Sequence, residues 1–202
     1  MPRRSLFLGC LMQWRVTVPV LRRVATTGLL FFAAAQSGAA DNDSRPLEAQ
    51  IKAAYLYKFA GYVEWPPNAF MDATVPFTIG IVGAGDIATE LNKLTSGRSL
   101  SDHPVEVRLL KAGDPPRGVQ LIFVSGADTP QLRRTLEPYK ALPTLTVSDI
   151  PGGIDAGCVI NFMLVDNRVR FEISVRNAER HGLKISSRLL AVAQRGNPGA
   201  SE

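Results

Sequence analysis

The chain has 202 residues, 46% hydrophobic and 20% charged, which provides for one globular core and excludes a protein that crosses a membrane many times. Its formal net charge of +5 invites a nucleic-acid reading. Residues 1–40, however, hold five arginines and no acid, and without them 18 basic side chains face 18 acidic ones, so the excess charge belongs to the leader alone.

That leader has the pattern of an export signal. Arg22 and Arg23 precede an apolar run from Val24 to Ala35, and small residues follow at Ser37, Gly38, Ala39 and Ala40. A basic end, a run of about 7–15 apolar residues and a small-residue cleavage site define a secretory signal. Cleavage is expected after Ala40, with a retained anchor as the alternative. The run falls short of the ~20 apolar residues a spanning helix needs. Export places the protein in an oxidising compartment. The exported chain keeps one cysteine, Cys158, which cannot close an intrachain disulfide. Beside Val159 and Ile160 it reads as a small buried apolar residue, with an intermolecular bridge as the alternative.

Residues 41–46 form a polar lead-in, and residues 47–195 the folded domain. Leu47–Glu64 is predicted as a helix, because Leu47, Ile51, Tyr55, Phe59 and Tyr62 recur at three- and four-residue spacing. Pro66 ends it, since a proline excludes helix for the residue before it. Strands follow at 77–83, 105–110, 119–124 and 145–147, alternating with helices at 86–94 and 130–139. Strands at 158–165 and 168–174 flank Asp166-Asn167, a pair suited to a two-residue hairpin turn. Short helices at 175–181 and 186–194 complete the domain, the second with Ser186 as its cap. Residues 196–202 form a disordered tail. The alternation predicts an α/β fold, a mainly parallel sheet flanked by helices on both faces, with a C-terminal antiparallel edge hairpin.

The chemical motifs are few. Gly83-Ala-Gly85-Asp-Ile-Ala88 matches G-x-G-x-x-A between a strand and a helix. A dinucleotide fold wants an acid near the end of the next strand, where this chain has Leu110-Lys111. The motif therefore reads as a tight strand-to-helix turn, and no cofactor is expected. His103 and His181 lie outside any ligand-spaced cluster, so neither a metal site nor a histidine-based catalytic triad is expected. With no nucleophile, base and metal in a usable pattern, the chain does not read as an enzyme. Tyr55, Tyr57, Phe59, Tyr62 and Trp65 crowd one stretch, and rings at such mixed spacing cannot all face one core. Arg168 to Glu172 alternates polar and apolar, as a solvated edge strand or a binding edge does.

Several stretches together resemble the YfiR family. They are IKAAYLYKFAGYVEWP at 51–66, FTIGIVG at 77–83, LIFVS at 121–125, INF at 160–162, VRFEIS at 169–174 and GLKISSRLL at 182–190. The resemblance implies a periplasmic repressor that binds the periplasmic part of an inner-membrane diguanylate cyclase, limiting cyclic di-GMP and biofilm formation. It also implies a homodimer, and an outer-membrane lipoprotein able to sequester the repressor. Some members of the family use several cysteines, which this chain lacks. Two partner-binding patches are expected on this reading. One comprises Tyr57, Lys58, Tyr62 and Trp65, the other Phe162, Arg170, Glu172, Arg176 and Arg180. Aromatic and arginine side chains are the usual anchors of interfaces. The alternative is a periplasmic small-ligand-binding module of another signalling system. Its ligand would sit beyond the carboxyl ends of the strands, at Gly83–Asp86, Ser125–Asp128 and Ser148–Ile150.

Overall fold

A computed structural model describes residues 41–194 except Met71 and Ala73. The predicted signal segment and the tail at 196–202 lie outside the described residues.

The first helix, α1 (Asp41–Gly61), begins six residues before the predicted start, so the polar lead-in is helical backbone. It also ends earlier than Pro66 requires. Glycine is about 1 kcal/mol worse than alanine inside a helix, and beyond Gly61 the chain gains a strand partner. β1 (Val63–Glu64) pairs antiparallel with β9 (Lys184–Ile185), a link between distant segments that local pattern does not reveal.

The main sheet contains β2 (Phe77–Val82), β3 (Ser99–Leu100), β4 (His103–Leu110), β5 (Leu121–Val124), β6 (Leu145–Ser148), β7 (Ile160–Val165) and β8 (Arg168–Ile173), in the order β3-β4-β2-β5-β6-β7-β8. The five strands from β4 to β7 are parallel. β3 lies antiparallel against β4 at one edge, and β8 against β7 at the other. Asp166 and Asn167 join β7 to β8 with φ of 50° and 56°. Both are left-handed, as the turn that matches strand twist demands.

Alternate residues of the buried strands face opposite layers. Phe77, Ile79, Ile81, Leu121, Phe123, Leu145 and Val147 pack in one core with Ala53, Leu56 and Phe59 of α1 and with Ile87 and Leu91 of α2 (Gly85–Thr95). Ile122, Val124 and Cys158 pack on the other side with Leu132 and Leu136 of α3 (Thr129–Leu136) and Ala156 of α4 (Gly153–Ala156). Helices therefore cover both faces of the sheet. The last elements, α5 (Val175–Arg180) and α6 (Ser187–Val192), are capped by Ser174 and Ser186, whose hydroxyls accept from the amides of Asn177 and Leu189.

The inward stripe of α1 differs from the predicted one. Leu47 and Tyr62 are exposed, whereas Ala49, Lys52, Ala53, Leu56, Phe59 and Ala60 are buried. The large rings suggested a stripe centred on themselves. The helix instead sets its alanines against the sheet, which lets the backbone approach closely. Of its rings, Phe59 alone goes fully inside, against Phe162 and Phe171 at 5.6 and 4.8 Å between ring centroids.

Candidate functional site

Among the parallel strands the order is β4-β2-β5-β6-β7, so the direction of winding reverses between β2 and β5. The turns after these two strands lead to opposite faces and leave a crevice at their carboxyl ends. Gly83 follows β2 with φ +77°, and a Cβ there would overlap the Ser125 carbonyl oxygen in the turn after β5. Only glycine allows the two turns to lie this close. Ala84 then precedes α2, and Asp86 accepts a hydrogen bond from the Ile87 amide. The G-x-G-x-x-A motif is thus a strand-to-helix turn on the wall of the crevice.

The amino-terminal half of α1 crosses the same end of the sheet and brings in Lys52. Its Nζ lies 2.6 Å from Glu48 Oε1 and 2.7 Å from Asp149 Oδ2. Asp149 directly follows β6, and its Oδ2 also accepts from Ser125 Oγ at 3.0 Å. The Lys52 side chain is only 9% exposed. Burial alone would lower its pKa, but hydrogen bonds and charge attraction from Asp149 and Glu48 outweigh this and raise it above the ordinary lysine value. Lys52 is therefore a fixed cation at neutral pH and cannot serve as a general base. The Ser125 hydroxyl donates to a carboxylate already bound to that cation. This arrangement suits binding rather than proton abstraction.

Two neighbouring cavities open here. One, of about 270 Å³, is lined by Lys52, Glu48, Gly83, Asp86, Ser125 and Asp149. The other, of about 640 Å³, shares Glu48, Lys52 and Asp149 and continues past Ile150 and Phe162 to Glu172 on β8. The three strand ends singled out in the sequence thus each contribute to this site. Sequence reasoning missed Lys52 itself. Its signal was a lysine among small residues (Ala49, Ala53), and Asp149 was an acid at the end of a fully buried strand.

The predicted partner-binding residues are spread over two separate surfaces. Lys58 and Tyr62 are exposed near the end of α1. Tyr57 is half-buried beneath the Arg98 guanidinium, 5.8 Å from its ring centre. Trp65 is also half-buried, standing edge-on to Phe77 at 5.3 Å while its Nε1 donates to the Ala60 carbonyl at 3.2 Å. In the second group Arg170, Arg176 and Arg180 are exposed. Glu172 accepts from Asn161 Nδ2 at 3.2 Å. Phe162 is only 2% exposed and packs on Phe59 and Phe123, so it belongs to the core and presents no surface to a partner.

The remaining reactive side chains are structural. Nδ1 of His103 donates to the Val75 carbonyl, and Nδ1 of His181 to that of Leu142. Among the described residues, no group of three or more His, Cys, Asp or Glu is arranged to hold a metal ion. Cys158 is fully buried, and desolvation pushes its thiol up to about 12. No described helix is long and apolar enough to cross a membrane.

The fold and crevice define a doubly wound α/β domain equipped for binding. Residues 49–194 match the YfiR/HmsC-like family, and the chain belongs to it. That family is periplasmic and regulatory, without catalytic activity, and its domain fits a regulator of cyclic di-GMP signalling. No curated protein matches the chain.

Proposed function

We propose that this protein is an exported, non-enzymatic repressor that binds the periplasmic part of an inner-membrane diguanylate cyclase and holds it inactive. Cyclic di-GMP and biofilm formation fall as a result. The family match across nearly the whole described domain carries this reading. Repression is by occupancy. An outer-membrane lipoprotein that binds an overlapping surface draws the repressor off, because binding to one partner shifts the population away from the other.

Two patches support the partner role. Lys58, Tyr62 and the exposed edges of Tyr57 and Trp65 offer an amphipathic surface at the end of α1. Arg170, Glu172, Arg176 and Arg180 offer a charged one on β8 and α5. With two such surfaces, a homodimer can use one and the cyclase the other.

The direct test is cellular cyclic di-GMP with the gene deleted and then restored. A rise on deletion, reversed by restoration, is expected. Restoration with Arg170→Glu or Tyr62→Ala is expected to reverse it less completely. An unchanged level in cells that express the protein would remove the cyclase from this account.

A further inference from the structure

We propose that the crevice between the ends of β2 and β5 is a binding site for a small neutral polyhydroxyl molecule, of the size of a monosaccharide or cyclitol. The inference concerns the folded protein itself and is independent of the repressor reading.

The crevice stands where doubly wound sheets receive ligands. Its most buried charge, Lys52, is held by two carboxylates. An ammonium has three N–H donors, and Glu48 and Asp149 take two. Both bonds to Asp149 end on Oδ2, which leaves Oδ1 without a hydrogen-bond partner among the described residues. The pair with Glu48 is made through its Oε1. The floor of the crevice thus offers one donor and two acceptors within a few ångströms of one another. A buried ion pair is often no more stabilising than apolar residues of the same shape, so its presence at this point is not explained by stability.

Charge selects among ligand classes. The lining carries three acids, Glu48, Asp86 and Asp149, and two bases, Lys52 and Arg45, so a phosphate or carboxylate meets a net excess of negative charge. A cation meets the ammonium of Lys52 and the guanidinium of Arg45. A neutral ligand with adjacent hydroxyls meets neither conflict, since one hydroxyl can accept from Lys52 while its neighbours donate to Asp149 Oδ1 and Glu48 Oε2. The volume of about 270 Å³ is just below the range for drug-sized ligands, roughly 300–1,000 Å³, as suits a smaller molecule.

The test is calorimetric titration and thermal shift of the full protein with D-glucose and myo-inositol, set against gluconate as the anionic probe and glucosamine as the cationic one. At least one neutral probe is expected to bind and raise the melting temperature, because a ligand of the folded state stabilises it. The charged probes are expected to bind more weakly. Glu48→Gln and Ser125→Ala keep the buried Lys52–Asp149 pair, so both variants should fold. Removing a hydrogen bond to a charged group is expected to weaken the neutral probe roughly tenfold in Glu48→Gln. Failure of both neutral probes to bind overturns the proposal. So does tighter binding of a charged probe, or neutral-probe affinity that is the same in both variants as in the parent.

Discussion

The two halves of α1 do different work on the same sheet. Its carboxyl-terminal half presents Leu56 and Phe59 to Phe162 and Phe171, a dry contact of stacked and edge-on rings. Its amino-terminal half presents Lys52, held by Glu48 and Asp149 at the mouth of a cavity. Burial of apolar surface stabilises at roughly 25 cal/mol per Å², whereas burial of charge costs desolvation that attraction only partly offsets. One half of the helix therefore anchors the domain, and the other holds a polar site in place at some expense of stability. An element can be long, regular and continuous and still divide in this way within two turns.

The comparison is sharpest at Phe59. Its side chain is fully buried and in contact with three other rings. Phe59→Ala is expected to cost about 3–5 kcal/mol of folding stability, measured by urea denaturation. A loss below about 1 kcal/mol would mean that the aromatic half is not the anchor. At the other half, Lys52→Met leaves the Asp149 carboxylate with Ser125 as its remaining partner. Breaking a buried pair in this way costs about 3 kcal/mol or more. Lys52→Met combined with Asp149→Leu is expected to recover most of that loss, which no second substitution near Phe59 should do.

Much of this architecture was legible in the sequence because local chemistry decides it. The β-branched runs at 77–82 and 121–124 became central strands, Asp166-Asn167 became the left-handed hairpin turn, and Ser186 became a cap. The rest depends on contacts far apart in the chain. Val63–Glu64 is a strand only because Lys184–Ile185 lies beside it. Phe162 looked like a surface anchor beside Arg170, but the register puts it opposite Phe171 on the core face. Lys52 and Asp149 are 97 residues apart, and neither position alone signals an ion pair. The ends of the strands could be named from sequence. The cation that joins them could not, because a lysine in a helix is read as solvated until the helix is docked.

Alkaline titration separates the halves by a smaller effect. The folded-state pKa of Lys52 is raised, so its share of stability is fully present below the unfolded value near 10.5 and is lost as pH rises through the higher folded value. The difference in stability between the parent and Lys52→Met is therefore expected to be constant through neutral pH and to shrink above about 10.5. Phe59→Ala should show no such convergence with its parent. Cys158 titrates in the same alkaline region in both variants and cancels in each difference.

The smallest expected effect is at Glu48, and it tests whether charge on α1 matters for stability wherever it lies. Glu48 is one turn before Lys52 and 30% exposed, so water competes for its carboxylate. Partly exposed pairs of this spacing contribute roughly 0.3–0.5 kcal/mol. Lys52 keeps its bond to Asp149 when Glu48 becomes glutamine, and no charge is stranded. Glu48→Gln is therefore expected to change denaturation stability by about 0.5 kcal/mol or less. A loss comparable to that of Lys52→Met would show that the three charges act as one buried unit, and the amino-terminal half of α1 would then rank as a second anchor.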